Sequence, residues 1–104
     1  MTHERGRLLW TVTDPWRREV RMFSLRSTHT LEERHRDIRE RDVKLAIERA
    51  DTRTRGNRPD DEELWAFGIV RRLWLKVVVA YEGNSGWVRT AHLSRKGPRQ
   101  DRLI

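Results

Sequence analysis

The chain of 104 residues contains no cysteine. This absence excludes a disulfide framework, a thiol nucleophile and any thiolate-ligated metal site. No apolar run approaches the roughly 20 residues of a membrane-spanning helix, and the N-terminus lacks the apolar core of a signal peptide. We therefore expect a soluble protein that does not enter a membrane and that, if intracellular, is cytoplasmic.

Several enzyme fingerprints are missing as well. The sequence has no phosphate-binding loop, no dinucleotide-binding glycine motif and no Gly-x-Ser-x-Gly nucleophile elbow. Its four histidines, His3, His29, His35 and His92, include no pair at His-x-x-x-His spacing. We therefore expect no metal site and no cofactor, and any catalysis would be metal-independent.

The charge balance is strongly basic. Lysine and arginine total 23 against 16 aspartates and glutamates, which gives a net charge of +7. A field of this sign attracts polyanions, so RNA, DNA or an acidic protein is the expected partner. The alternative is that the arginine-rich composition only sets the general surface charge.

The strongest structural signal lies in residues 73 to 93. Two runs rich in β-branched and aromatic residues flank a cluster of glycine, asparagine and serine, and this pattern predicts a β-hairpin. If Asn84-Ser85 forms the turn, antiparallel pairing sets Val77 opposite His92. A slip of one residue would exchange the two faces of the hairpin, so the sequence leaves the register open.

Other β-prone runs lie on both sides of a helical region. Residues 8–13 and 19–25 flank Asp14-Pro15, a turn signal, and predict a small N-terminal hairpin. Residues 64–70 are expected to pair with the strand that starts at residue 73. The Arg71-Arg72 pair would form the turn between them.

Two amphipathic helices are predicted between these strands. Ser27-Thr28 provides an N-cap for a helix that runs to about residue 36, and residues 43–50 repeat the helical spacing. Both helices should pack on the sheet. Residues 51–63 are expected to form a connection, although the first part could be a short edge strand.

These elements predict a single α+β domain over residues 1–104. A chain of this length buries roughly two thirds of its unfolded surface, which is enough for one modest core. Residues 1–6 form a loose leader, the core runs from about residue 8 to residue 93, and residues 94–104 form a basic tail that we expect to be mobile.

Lys76 interrupts the most apolar run of the chain. A charged residue on a central strand costs free energy unless its ammonium group reaches water or an anion. It either extends its amine to solvent or supplies a fixed cation to a binding site. In the predicted register it shares a face with Trp87, which could stack on a base, while Thr90 and His92 lie on the opposite face.

Metal-free RNA cleavage needs a group that takes the 2′-hydroxyl proton, a group that protonates the leaving oxygen, and fixed cations around the phosphate. Histidine, with an unperturbed pKa of about 6.5, suits both proton transfers. His29 and His35 are candidates, although His29 could equally lie on a helix surface and His35 in the core. Arg71, Arg72 and Arg89 could contact phosphate, although a charged turn is a common use of such residues.

Four short stretches, taken in order, resemble a known family. They are Val12-Thr13-Asp14-Pro15-Trp16 with Arg18-Glu19-Val20, then His29 with Arg34-His35, then Trp74-Leu75-Lys76-Val77-Val78-Val79, and finally Val88-Arg89-Thr90-Ala91. On this ordered set the chain resembles the small phage and bacterial nuclease domains of the barnase, EndoU, colicin and RelE-like group. It departs from their pattern at Arg17, where glycine is expected, at Arg36, where proline is expected, and at His92, where an aromatic residue is common.

The resemblance implies a RelE- or barnase-like fold, in which two helices from the N-terminal half pack on one face of a twisted antiparallel sheet. It also implies a toxin-like, metal-independent endoribonuclease that cleaves RNA by 2′-hydroxyl attack. The candidate catalytic residues are His29, His35, Lys76 and Thr90, and the candidate substrate-binding residues are Arg71, Arg72, Arg89 and His92. An antitoxin or immunity protein would be a second partner. The alternative is a non-catalytic module of the same fold that binds nucleic acid or an acidic protein.

Overall fold

Six β-strands form a single sheet in the order β1-β2-β6-β5-β4-β3. The computed structural model describes residues 5–25 and 37–104. The strands are β1 (Leu8–Thr13), β2 (Glu19–Phe23), β3 (Thr52–Arg55), β4 (Asp61–Phe67), β5 (Trp74–Glu82) and β6 (Ser85–Ser94). The described part of the chain also contains one α-helix, α1 (Glu40–Glu48), and a short 3-10 helix (Gln100–Arg102).

The sheet is mixed. Four of its neighbouring strand pairs are antiparallel, whereas β2 and β6 run parallel. Parallel pairing requires a crossover of a dozen or more residues, and the long segment between β2 and β6 provides one. The α+β prediction is confirmed, but the prediction of a wholly antiparallel sheet is wrong at this pair.

The predicted N-terminal hairpin is confirmed as β1 and β2. Its turn includes Arg17, which has a φ of 66°. This left-handed conformation favours glycine, because a side chain there crowds the backbone. Arg17 therefore occupies a position that glycine would fill with less strain.

The helix predicted over residues 43–50 is confirmed as α1. Its first turn carries acidic residues, and the Arg39 backbone N–H donates to Asp42 Oδ2 over 2.9 Å, which satisfies one of the free amide groups at the helix start. Its apolar side, Val43, Ala46 and Ile47, is fully buried against the sheet. The other predicted helix, residues 27 to about 36, lies outside the described residues.

The β5–β6 hairpin is confirmed, but its predicted register is wrong. The turn is Gly83-Asn84, because Gly83 supplies the positive φ of 63° that such a tight turn needs. A β-bulge follows, in which β6 contains one more residue than β5. The segment of β5 from Val79 to Val77 pairs with the longer segment of β6 from Val88 to Ala91. The extra residue reverses the alternation of the second half of β6.

The two faces of the sheet differ in their covering. The face that packs against α1, named the core face, carries the buried apolar residues Val20, Met22, Leu64, Leu75, Val77, Val79, Val88 and Ala91. Burying one such side chain contributes roughly 1.5–3 kcal/mol. The opposite face, named the open face, carries most of the predicted site residues that the structure describes.

The C-terminal segment, residues 95–104, crosses part of the open face. Gly97 passes so close to the Trp74 ring that an added Cβ would lie 2.8 Å from ring atoms. Leu103 then forms an antiparallel bridge with Thr54, and the Ile104 backbone N–H donates to the Arg53 carbonyl over 3.1 Å. The sequence predicts a mobile tail, but these contacts attach the tail to β3 and cover that edge of the sheet.

Candidate functional site on the open face

Lys76 lies beside Glu63 at the centre of the open face. The Lys76 Nζ atom is 3.4 Å from Glu63 Oε2 and 5.6 Å from the centroid of the Trp65 ring. The other oxygen, Glu63 Oε1, accepts a hydrogen bond of 2.7 Å from Thr54 Oγ1, which in turn accepts one of 2.8 Å from Trp65 Nε1. These contacts fix the carboxylate so that its Oε2 atom faces the ammonium group.

The position of Lys76 explains how a central strand tolerates its charge. The side chain is 26% exposed, so the ammonium group reaches solvent while the methylene stem packs on the sheet. The ion pair with Glu63 compensates the charge further, and the sequence pattern does not predict this pair. Lys76 is therefore a fixed cation with a single carboxylate partner among the residues that the structure describes.

His92 and Thr90 lie on the same face as Lys76, contrary to the predicted register. His92 is the direct cross-strand partner of Lys76, and Thr90 is that of Val78. Directly opposite residues of an antiparallel pair have Cβ atoms about 4.5–5.5 Å apart and point to the same side of the sheet. The bulge between Val88 and Thr90 causes this change.

The Thr90 hydroxyl has no contact that supports its predicted role. Its Oγ1 atom is buried and has no hydrogen-bond partner among the described residues. A phosphate could reach this atom only if neighbouring groups moved. The role of Thr90 in orienting a phosphate stays a prediction.

Arg89, at the bulge, is the second cation on this face. Its Nε atom donates to Asp61 Oδ1 over 2.8 Å, and its guanidinium carbon lies 4.6 Å from the centroid of the Trp87 ring. The guanidinium carbon of Arg5 is 3.8 Å from the same centroid. A depression of about 550 Å³ adjoins this group. Its lining includes Arg5, Asp60, Glu82, Trp87 and Arg89.

Arg71 and Arg72 lie away from Lys76. Their turn is four to five residues before Lys76, which corresponds to roughly 13–17 Å along an extended strand. Arg71 has a φ of 51°, and its Nη2 atom donates to Asp37 Oδ2 over 2.8 Å on the surface. The structure therefore places Lys76, Thr90 and His92 close together on the open face. Arg89 lies on the same face but farther along the sheet, beside Asp61, which pairs with Ala80. The Arg71-Arg72 turn is separate from both positions. His29 and His35 lie outside the described residues.

The core face carries a different charged cluster, which lies at the end of the sheet near the Asp14 turn. The buried Asp14 accepts hydrogen bonds from the backbone N–H groups of Trp16 and Arg18, each 2.9 Å, and its Oδ2 atom accepts one of 2.8 Å from the Tyr81 hydroxyl. Arg18 donates from Nε to Asp14 and from both terminal nitrogens to Glu62, over 2.8–2.9 Å. We call these four residues, Asp14, Arg18, Glu62 and Tyr81, the core-face cluster.

Burial and charge alter two proton affinities in this cluster. Burial, together with the hydrogen bond to Asp14, raises the pKa of Tyr81 well above its usual value. Burial lowers the pKa of Arg18, but its hydrogen bonds and the negative charges beside it outweigh that effect, so the pKa is raised. Each of the three side-chain nitrogens of Arg18 bonds to a carboxylate, so this cluster holds the turn in place.

Sequence reasoning missed the acidic partners Asp61 and Glu63. They belong to the run Asp60-Asp61-Glu62-Glu63, which the sequence analysis assigned to a connection. In the structure β4 begins at Asp61, so alternate acids face opposite sides of the sheet. Strand alternation within this run was the available signal.

Comparison with known proteins found no matching family model, curated protein or solved structure. Within residues 5–25 and 37–104, no group of three histidine or carboxylate side chains is placed to hold a metal ion. The same residues contain no helix long and apolar enough to cross a membrane.

Proposed function

We propose that the open face binds RNA and cleaves its backbone without a metal ion. The observation that carries the proposal is the placement of Glu63, Lys76 and His92 on three neighbouring strands of that face. They supply a carboxylate, a fixed cation and an imidazole, the kinds of group that the reaction needs. The net charge of +7 adds a general attraction for RNA.

In this proposal Glu63 is the general base and His92 the general acid. Glu63 takes the proton of the 2′-hydroxyl, the 2′-oxygen attacks phosphorus, and the bond from phosphorus to the 5′-oxygen breaks. His92 donates a proton to that leaving oxygen, and a 2′,3′-cyclic phosphate remains on the first fragment. Lys76 stabilises the negative charge that develops on the phosphate. His29 and His35 stay candidates for either proton transfer.

The proposal extends the resemblance to the barnase, EndoU, colicin and RelE-like nuclease domains. It includes a RelE-like arrangement of the sheet, a toxin-like role, an antitoxin or immunity protein as a second partner, and a cytoplasmic location. RNA is the substrate class because its 2′-hydroxyl supplies the nucleophile that this set of groups would activate.

One observation favours a second candidate function, a non-catalytic binding module. Lys76 and Arg89 are both paired with carboxylates, at 3.4 Å and 2.8 Å. Such pairing fixes each cation but reduces the charge that it presents to a phosphate. A binding module would use the same face and lack the chemical step.

Single-turnover cleavage of a mixed RNA pool in EDTA tests the proposal. We expect the wild type to cleave and to leave 2′,3′-cyclic phosphate ends. Lys76→Met should lower the rate on the order of 100-fold, the loss typical of one preorganised electrostatic contact. The matched control is Lys44→Met on α1, on the other side of the sheet, and it should cleave at the wild-type rate.

The outcomes separate the two candidate functions. Cleavage that disappears in EDTA contradicts the metal-free mechanism, and a fully active Lys76→Met removes this lysine from the site. A wild type that cleaves no RNA, yet binds RNA with an affinity that falls steeply as salt rises, supports the binding module. A flat salt response would exclude RNA as the ligand.

A further inference from the structure

A cleft separates the C-terminal segment from the open face. Its volume is about 260 Å³, and it is lined by Asn57, Glu63, Trp65, Lys76, Arg99 and Arg102. Trp65 and Lys76 come from the sheet, whereas Arg99 and Arg102 come from the C-terminal segment. Because the cleft also contains the Glu63–Lys76 pair, any ligand in it would lie directly beside the candidate catalytic groups.

The three cations of the cleft differ in their partners. Lys76 is paired with Glu63. Arg99 donates to both carboxylate oxygens of Asp101, over 3.1 Å and 2.9 Å. Arg102 instead bonds through Nη1 to two neutral acceptors, the Arg55 carbonyl at 3.5 Å and Asn57 Oδ1 at 3.2 Å. No carboxylate within the described ranges forms an ion pair with it.

The free donors of Arg102 suit a phosphate. Both of its contacts use Nη1, so Nε and Nη2 have no acceptor in the described part of the chain. These two nitrogens form the edge of a guanidinium group that binds two oxygens of a phosphate at once. Among the described residues no ion pair neutralises Arg102, and the three cations of the cleft outnumber Glu63, the one carboxylate in its lining.

Arg102 is also held in position before any ligand arrives. The C-terminal segment packs against Trp74 at Gly97, and the Leu103 bridge and the Ile104 hydrogen bond fix its other end to β3. Its contacts with Arg55 and Asn57 hold the guanidinium group itself. A preorganised cation loses less conformational entropy when it binds a ligand.

We propose that this cleft is a phosphate subsite, in which Arg102 binds a backbone phosphate of RNA next to the Glu63–Lys76 pair. The identity of the ligand rests on the proposed function, but the subsite itself requires no cleavage. The C-terminal segment is then one wall of the binding site rather than an accessory tail.

The test measures binding without chemistry. The probe is a 2′-O-methyl RNA 10-mer, which has no free 2′-hydroxyl and cannot be cleaved by this route. We expect Arg102→Gln to weaken binding about tenfold or more, as for one hydrogen-bonded charged contact. The slope of log affinity against log salt should become shallower by the amount expected for the loss of one phosphate contact. Arg95→Gln, on the same segment but outside the cleft, is the control and should change the affinity far less.

A second measurement locates the phosphate. Inorganic phosphate should shift the indole N–H resonance of Trp65 in the wild type, and chloride at equal ionic strength should not. Arg102→Gln should abolish this shift, while Arg102→Lys, which keeps the charge but loses the two-donor edge, should retain part of it. The Ile104 amide resonance reports whether the segment stays attached to β3 in each variant.

The inference is overturned if Arg102→Gln binds the RNA with the affinity and the salt dependence of the wild type. It is also overturned if phosphate still shifts the Trp65 indole resonance in this variant. An Arg102→Gln variant that loses binding only because the Ile104 contact is broken would also count against it. Cleavage by the wild type together with an unaffected Arg102→Gln keeps the proposed function and removes the subsite. Binding through Arg102 by a wild type that never cleaves keeps the subsite and removes the proposed catalysis.

Discussion

Two sets of charged residues lie on opposite faces of the same sheet and differ in their burial and in their number of partners. Glu62 and Glu63 are neighbours in sequence, yet Glu62 belongs to the core-face cluster and Glu63 pairs with Lys76 on the open face. On the core face the Arg18 side chain is only 10% exposed, and all of its donor nitrogens bond to carboxylates. On the open face the Lys76 side chain is 26% exposed and has one carboxylate partner among the described residues.

Burial and the number of partners, more than residue type, distinguish a charged side chain that stabilises the fold from one that can contact a ligand. Removing one member of a buried, fully bonded pair leaves an uncompensated charge in the interior, which is costly. Removing Lys76 should cost less than removing Arg18, because the Lys76 ammonium group is 26% exposed and has a single carboxylate partner among the described residues, although that partner, Glu63, is only 11% exposed. We therefore expect changes in the core-face cluster to affect stability and changes on the open face to affect function.

The largest stability effect should come from Arg18→Met. This change leaves the carboxylate of Asp14 buried without its cation, so the free energy of unfolding should fall by about 3–5 kcal/mol. Urea denaturation at pH 7 measures the loss. The control is Arg21→Met, whose ion pair with Glu19 is solvent-exposed and should contribute less than about 1 kcal/mol. Equal losses in the two variants would contradict the distinction between the faces.

Tyr81→Phe should have a smaller, pH-dependent effect. At pH 7 it removes a hydrogen bond to a charged group and should cost about 1.5–3 kcal/mol. Because the pKa of Tyr81 is raised in the folded state, its contribution is fully present below the unfolded value of about 10 and is lost as pH rises above it. Denaturation curves from pH 7 to 11 should show wild-type stability approaching that of Tyr81→Phe. A constant difference across that range would refute this assignment.

The smallest effect on stability is expected for Thr90→Val. The hydroxyl is buried without a partner, so an apolar side chain of the same shape should leave stability unchanged or raise it by up to about 1 kcal/mol. Thermal denaturation and RNA cleavage are measured on the same preparation. Unchanged cleavage would remove Thr90 from the candidate site, and a large loss of cleavage in a stable variant would show that its hydroxyl becomes accessible when RNA binds.

Much of the fold followed from local patterns. The hairpin of β5 and β6, the hairpin of β1 and β2, and α1 were all predicted, because alternation, turn residues and helical spacing are properties of neighbouring residues. The strand β3 was only an alternative within a predicted connection. Its short run of threonine and arginine becomes an edge strand because β4 pairs with it on one side and Leu103 bridges it on the other.

The candidate site was less accessible to sequence reasoning. Lys76 is singled out by the sequence because a charge within an apolar strand is unusual, and Arg89 because it is an arginine beside the same sheet that could contact phosphate. Both lie on the open face. Their partners Glu63 and Asp61 were missed, as was the docking of Arg102 beside Lys76. These pairings join residues 13 or more positions apart, so they depend on which strands become neighbours.

The sequence alone determined the class of the domain, most of its strands, its basic charge and the absence of any thiol chemistry, since each depends on composition or on local spacing. The tertiary structure alone decided which residues share a face. One extra residue in β6 placed Thr90 and His92 on the side of Lys76, and the closing contacts of the C-terminal segment brought Arg102 to the same cleft. Both outcomes depend on the fit of distant segments, and local propensity does not encode that fit.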